Sequence, residues 1–151
     1  MSKELKKLKK AVAAVEWVAN CEVTLSAYAE NGELVCDFVV SRFSFTNDED
    51  FLRALPEDTL NAAGVSNLMN ELLATSLKWQ KEKEGLDVSV YVRISNGEFD
   101  ECPNIVASSQ NLDDVSTLED FCGWWAYLLK RFNHLYKVMK FYPKFKNDCP
   151  F

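Results

Sequence analysis

The sequence predicts an α+β fold in which two β-hairpins form an antiparallel sheet and helices pack on it, in the order α-β-β-α-β-β-α. Two tracts of alternating apolar residues lead into the dipeptide Asn-Gly, at Asn31-Gly32 and again at Asn96-Gly97. Alternation that runs into Asn-Gly is a strong signal for a hairpin. Three segments with apolar residues at intervals of three and four surround these hairpins and predict the helices.

The first helix and the first hairpin occupy the N-terminal third of the chain. Ser2 is suited to cap the helix. Its apolar stripe is formed by Leu5, Leu8, Val12, Val15 and Ala19. After Asn31-Gly32, alternating apolar residues begin at Leu34 and continue to Phe45. We therefore expect this return strand to be long and central in the sheet.

A long helix and the second hairpin follow in the middle of the chain. Pro56 is suited to the first turn of a short helix that Gly64 interrupts, and Ser66 can cap the long helix. Gly85 is placed to end that helix in a left-handed conformation. After Asn96-Gly97 the return strand is acidic, and Pro103 lacks an amide donor, so we expect an edge or bulged strand.

The last helix is predicted by a capping box, in which Ser116 is followed three residues later by Glu119. Helical spacing of apolar residues continues to Met139, and Pro143 ends the pattern. The sequence thus predicts a single domain over residues 1–142 and an irregular tail over residues 143–151.

The apolar surface of the last helix is wider than one sheet face requires. At about 100° per residue the apolar arc spans roughly 220°, whereas covering a sheet needs about 100° or somewhat more. The surplus is formed by Trp124, Tyr127, Leu135 and Val138. The polar side is formed by Gly123, Ala126, Lys130, Asn133, His134 and Lys137. Either the helix that begins at Ser66 covers the surplus, or a partner protein does.

Composition and charge exclude several function classes. The chain has 48% hydrophobic residues and a net charge of −6, and residues 47–120 alone carry −11. This acidity disfavours direct binding to nucleic acid. No apolar run is long enough to span a membrane, and no leader is evident, so we expect a cytoplasmic protein. The five cysteines form no C-x-x-C pair and are expected to be reduced thiols.

Catalytic and metal-binding chemistry is weakly indicated. His134 is the single histidine, and no Ser or Cys lies three or four residues from it. No glycine-rich phosphate loop occurs. The Asp and Glu residues between Glu98 and Asp120 are of the types that a metal-dependent hydrolase uses, but their spacing is not that of a calcium-binding loop. We expect no catalytic residue, metal ligand or cofactor.

Residues 66–139 resemble the type III secretion chaperone-like fold, which includes Tir-chaperone-like and YbjN-type bacterial proteins. The resemblance rests on the N-L-M-N-E-L helix from Asn67, the strand around Asn104 to Ser108, and D-D-V-S-T-L-E-D-F from Asp113. It implies a non-enzymatic domain, commonly a homodimer, that binds extended segments of a client protein.

Three functional hypotheses follow from these observations. The first is a protein-binding module that holds a partner segment at a sheet edge and an aromatic helix face, and forms a homodimer through the last helix. Its predicted contact residues are Trp124, Tyr127, Leu135, Val138, Phe99 and Glu101. The second is an acidic inhibitor that imitates nucleic acid. The third is the small metal-dependent hydrolase.

Overall fold

The computed structural model describes residues 3–15, 19–45, 65–96 and 105–141. Within these ranges the helices are α1 (Lys3–Ala13), α2 (Val65–Glu82) and α3 (Leu118–Phe141). The strands are β1 (Ala19–Tyr28), β2 (Leu34–Phe45), β3 (Asp87–Ser95) and β4 (Ile105–Asn111), with a short 3-10 helix over Leu112–Val115. The predicted α+β class and element order are confirmed. The short helix predicted near Pro56 and the tail over residues 143–151 lie outside the described residues.

The four strands form one antiparallel sheet in the order β2-β1-β3-β4. The two alternating tracts that precede Asn-Gly are β1 and β3, and they pair with each other at the centre, with Val23 opposite Val92. Among the strands that the structure describes, β2 pairs with β1 alone and lies at one edge of the sheet. The prediction that β2 is central is therefore wrong, whereas the edge position predicted for β4 is confirmed.

The first Asn-Gly pair forms the turn between β1 and β2. Gly32 adopts a φ of 84°, a left-handed conformation that favours glycine. The amide of Ala29 donates to the carbonyl of Glu33 at 2.9 Å, and the amide of Glu33 donates to Asn31 Oδ1 at 3.1 Å. Strands β3 and β4 also pair, with Ser95 opposite Ile105, but residues 97–104 between them lie outside the described residues.

The helices bury their apolar residues against one face of the sheet. Trp125, Phe121 and Phe132 of α3 are the largest fully buried side chains, and α3 also packs along α1. α1 contributes the buried Leu8 to this core but ends at Ala13. Ala19 begins β1, which corrects its assignment to the helical stripe.

The helix ends differ slightly from the sequence prediction. α2 already includes Ser66 in its first turn, and Gly85 follows its end with a φ of 77°, as predicted for a left-handed cap. α3 is capped by Thr117 instead of Ser116. The amide of Asp120 donates to Thr117 Oγ1 at 3.2 Å, while the Thr117 hydroxyl donates to Asp120 Oδ2 at 2.7 Å. The N-cap is therefore one residue later than predicted, and its side-chain partner is Asp120 instead of Glu119.

Replacing Thr117 with alanine is expected to lower the free energy of unfolding by about 1 kcal/mol, because the first turn of α3 loses its capping acceptor. Urea denaturation measures this difference. Ser116→Ala is the matched control, because the Ser116 hydroxyl donates to the Asp113 carbonyl at 3.2 Å, before the helix begins. A larger loss from Ser116→Ala than from Thr117→Ala would contradict this capping arrangement.

Candidate functional site

The β2 edge is the most apolar exposed part of the described sheet. Its large exposed side chains are Leu34 (53% exposed), Val35 (42%), Phe38 (43%) and Val39 (38%). Long exposed apolar edge strands are uncommon in soluble proteins, because an unpaired strand edge is a template for another strand. This concentration of apolar residues makes the β2 edge the candidate functional site.

Two irregularities in the pairing with β1 divide β2 into segments. The register skips Val35 between Leu34 and Cys36, and it skips Val40 between Val39 and Ser41. Extra residues of this kind bend and twist a strand, and they commonly limit pairing at sheet edges. The regular segment between them is Cys36–Val39. A segment added to β2 would therefore meet its straightest part at Cys36–Val39.

The exposed side chains of β2 lie on both faces of the sheet. Phe38 is opposite Leu25 on the face that carries the helices, and its ring contacts Trp79 of α2 edge-on at a centroid distance of 5.4 Å. Val39 is opposite Thr24 on the outer face, and Thr24 is in turn opposite the exposed Tyr91 of β3. The β2 edge thus offers an apolar contact on each side of any added strand.

The C-terminal half of β2 is polar on its outer face. Arg42 Nε lies 3.0 Å from Glu22 Oε2, and Arg93 Nη1 lies 3.8 Å from Glu22 Oε1. The Ser44 hydroxyl donates to Asn20 Oδ1 at 2.8 Å. The apolar part of the outer face therefore ends near Val39.

The opposite edge, at β4, is polar and partly covered by α3. Ala107 and Ser109 are exposed, and Trp124 Nε1 donates to Ser108 Oγ at 3.4 Å. Trp124 is only 8% exposed and contacts the Phe121 ring edge-on at a centroid distance of 6.1 Å. It does not lie on a surface that a partner can reach, which corrects the expectation that Trp124 is a partner contact.

The other predicted contact residues do not form one surface with Trp124. Tyr127 is 56% exposed, whereas Leu135 and Val138 are half-buried, and Leu135 packs against the core. Phe99 and Glu101 lie outside the described residues. The wide apolar arc of α3 is explained mainly by its contacts with the sheet and with α1, whereas the sequence offered α2 or a partner protein as the cover.

Sequence reasoning missed Val35, Phe38 and Val39 as exposed residues. Their signal was present in the runs Leu34-Val35-Cys36 and Phe38-Val39-Val40, which place apolar residues on both faces of the strand. Such runs are typical of strands buried on both faces. In this chain the same pattern lies at an edge, where it leaves both faces available for contact.

The thiols of the described residues are free. Burial raises the pKa of Cys21 well above its ordinary value and raises the pKa of Cys122 to about 11, where Glu119 and Glu4 add to the effect. The pKa of Cys36, on β2, is also raised, by desolvation and by the nearby charges of Glu82 and Asp37. None of the three has the lowered pKa of a reactive nucleophile.

A metal centre is not found in the part of the chain that the structure describes. No group of three or more His, Cys, Asp or Glu residues there is arranged to hold an ion. Glu98, Asp100 and Glu101 lie outside the described ranges, so the metal-dependent hydrolase remains a hypothesis. Among the described helices, none has the length and apolar character needed to cross a membrane.

In the part of the chain that the structure describes, the fold and the β2 edge define an α+β protein whose edge strand β2 exposes apolar side chains. Comparisons with protein-family models, with curated proteins and with solved structures find no match. The resemblance to type III secretion chaperones therefore rests on the sequence patterns alone.

Proposed function

We propose that this protein is a non-enzymatic, chaperone-like or adaptor module that binds an extended segment of a partner protein by adding it as a strand to β2. The observation that carries the proposal is the exposure of Leu34, Val35, Phe38 and Val39 on β2, the edge strand of the described sheet. Strand addition derives affinity from main-chain hydrogen bonds, and specificity from side chains that alternate between the two faces.

The contacts around Cys36–Val39 define the chemistry of the bound segment. On the helix side, an apolar side chain of the segment would cover Phe38 beside Trp79. On the outer side, the next residue of the segment would cover Val39. Val39 lies beside Thr24 of β1, and Thr24 lies beside Tyr91 of β3. The segment should thus carry an apolar side chain against Phe38 on the helix side and another against Val39 on the outer side. A polar or basic residue should lie beside the exposed Asp37, which is opposite Ser26 on the outer face.

A second copy of this chain is the alternative occupant of the same edge. Two β2 strands related by a two-fold axis would pair antiparallel and join the sheets of two subunits. The burial of Trp124 removes one of the aromatic contacts proposed for a homodimer through α3. The β2 edge is therefore the better-supported position for a homodimer as well.

In the test, a photo-crosslinking amino acid replaces Val39 of the protein in cells of the source organism. In a separate control protein, the same amino acid replaces Leu77. Leu77 is an exposed apolar residue of α2. We expect one predominant product from the Val39 position and none from the Leu77 position. With that partner purified, Val39→Lys should weaken binding by about tenfold or more, since a charge must be desolvated at the edge.

Leu77→Lys is the matched control in the binding measurement, because it adds the same charge to an exposed apolar position of α2, outside the β2 strand. It should leave the affinity within about twofold of wild type. Equal effects of the two substitutions, or identical crosslinks from both positions, would contradict strand addition at β2. Sedimentation of the purified protein then distinguishes a second copy from a different partner.

A further inference from the structure

A groove of about 620 Å³ runs between α1 and α3, on the helical layer of the protein. Its basic side chains are Lys7 and Lys10 of α1, and Lys130 and Lys137 of α3. Ala11 and Ala126 contribute apolar surface, and the exposed Tyr127 also lines the groove. We refer to this feature as the basic groove.

The close contact between the two helices gives the basic groove a fixed shape. A Cβ atom added to Gly123 would lie 3.3 Å from Cγ of Glu4, so the Glu4 side chain of α1 packs directly on α3 at this glycine. Further along, Asn133 Nδ2 donates to the carbonyl of Ala11 at 3.0 Å, and this bond is buried. The helices are therefore held at both ends of their contact, which supports a pre-formed groove.

The charge of the basic groove is opposite to that of the chain. Among the residues that the structure describes, no carboxylate lines the groove or pairs with its four lysines. The protein as a whole carries a net charge of −6. Glu4, whose side chain packs on Gly123, lies at one end of the groove, and the four lysines gathered in the concave site raise the local concentration of anionic groups. The positive potential of this groove is thus a local feature that favours an anionic ligand.

The shape and the surroundings of the groove favour a short ligand over a long polyanion. A nucleic acid would extend beyond the groove into the field of a net acidic protein. A short segment would contact only the lysines, and one apolar side chain could pack on Ala11, Ala126 and the ring of Tyr127. Arg131 lies 5.7 Å from the centroid of that ring and adds a further positive charge at its face.

We propose that the basic groove binds an acidic peptide segment of a protein partner, with carboxylates on the four lysines and an apolar side chain near Tyr127. Ion pairs of this kind are charge-assisted hydrogen bonds, and their strength at an exposed site falls with salt. The groove lies on the helical layer, away from the β2 edge, so this proposal does not depend on the proposed function.

The test measures fluorescence anisotropy of a labelled short peptide in which Asp and Glu surround one Leu. Two probes of the same length serve as comparisons: the peptide with Asn and Gln in place of the acids, and oligothymidylate. We expect the acidic peptide to bind the full chain at low salt, and its affinity to fall as salt is raised. The amide peptide and the oligonucleotide should bind about tenfold or more weakly.

Substitutions locate the binding site. Lys10→Gln with Lys130→Gln should weaken acidic-peptide binding by about tenfold, whereas Lys78→Gln with Lys81→Gln, at exposed positions of α2, should leave it within about twofold. Thermal unfolding of both variants checks that they fold. Absence of peptide binding, equal binding of the oligonucleotide, or an equal loss in the α2 variant would overturn the proposal.

Discussion

Replacing Trp125 with alanine is expected to lower the free energy of unfolding by about 3–5 kcal/mol. Trp125 is fully buried, and its ring lies at a centroid distance of 5.2 Å from the Phe121 ring. The substitution removes most of this side chain from the hydrophobic core, where the surrounding residues cannot fully close the cavity. A domain of this size has roughly 5–15 kcal/mol of stability in total, so the loss is a large fraction of it.

Urea denaturation followed by circular dichroism measures this change. Tyr127→Ala is the matched control, because it removes an aromatic side chain from the same helix at an exposed position. Its expected effect is within about 0.5 kcal/mol, as for most surface substitutions. If Tyr127→Ala were as destabilising as Trp125→Ala, the orientation of α3 described above would be wrong.

Leu8→Ala is the second substitution with a large expected effect, about 2–5 kcal/mol of lost unfolding free energy. Leu8 is fully buried in α1, where α1 packs along α3. Loss of this side chain leaves a cavity beneath the helix that forms one wall of the basic groove. The effect is measured by the same urea denaturation.

Leu77→Ala provides the control for Leu8→Ala, since both change leucine to alanine within a helix. Leu77 is 63% exposed on α2, so its truncation removes little buried surface. The expected change is again within about 0.5 kcal/mol. A Leu8→Ala protein as stable as wild type would show that α1 is not held against α3 as the structure has it.

The centre of the sheet could be predicted from the sequence because its signal is local. Alternation places Val23 and Leu25 on one face of β1, and Val90 and Val92 on one face of β3. The turn at Asn31-Gly32 is likewise fixed by the residues within it, since Gly32 supplies the positive φ. These features depend on neighbouring residues along the chain, and each is present in the structure.

The order of strands depends on contacts between distant residues, and the sequence did not determine it. Two short apolar runs such as Leu34–Cys36 and Phe38–Val40, separated by Asp37, are compatible with a central strand or with an edge that another chain covers. The structure places β3 beside β1, and within the described ranges β2 has β1 as its one neighbour. Apolar residues on both faces of β2 suggested a central strand, and the proposed function rests on the same residues.

The surplus of apolar surface on α3 was estimated on the assumption that this helix packs mainly on one face of the sheet. Trp124 instead covers β4, where it donates to Ser108. Gly123 and Asn133, which the pattern assigned to a polar side, approach α1. A helical wheel counts apolar residues, but it does not include a second helix that packs on small residues. Of the two aromatic residues assigned to the surplus, Trp124 is therefore buried and only Tyr127 is exposed.

Amide hydrogen exchange on the complex with the crosslinked partner tests strand addition most directly. Added main-chain hydrogen bonds slow the exchange of edge amides, because a bonded amide exchanges only when the pairing opens. We predict slower exchange across Leu34–Val39 in the complex than in the free protein, with the amides of Ile105–Asn111 on the opposite edge unchanged. Unchanged exchange at Leu34–Val39, with protection of α3 or β4 instead, would contradict the account.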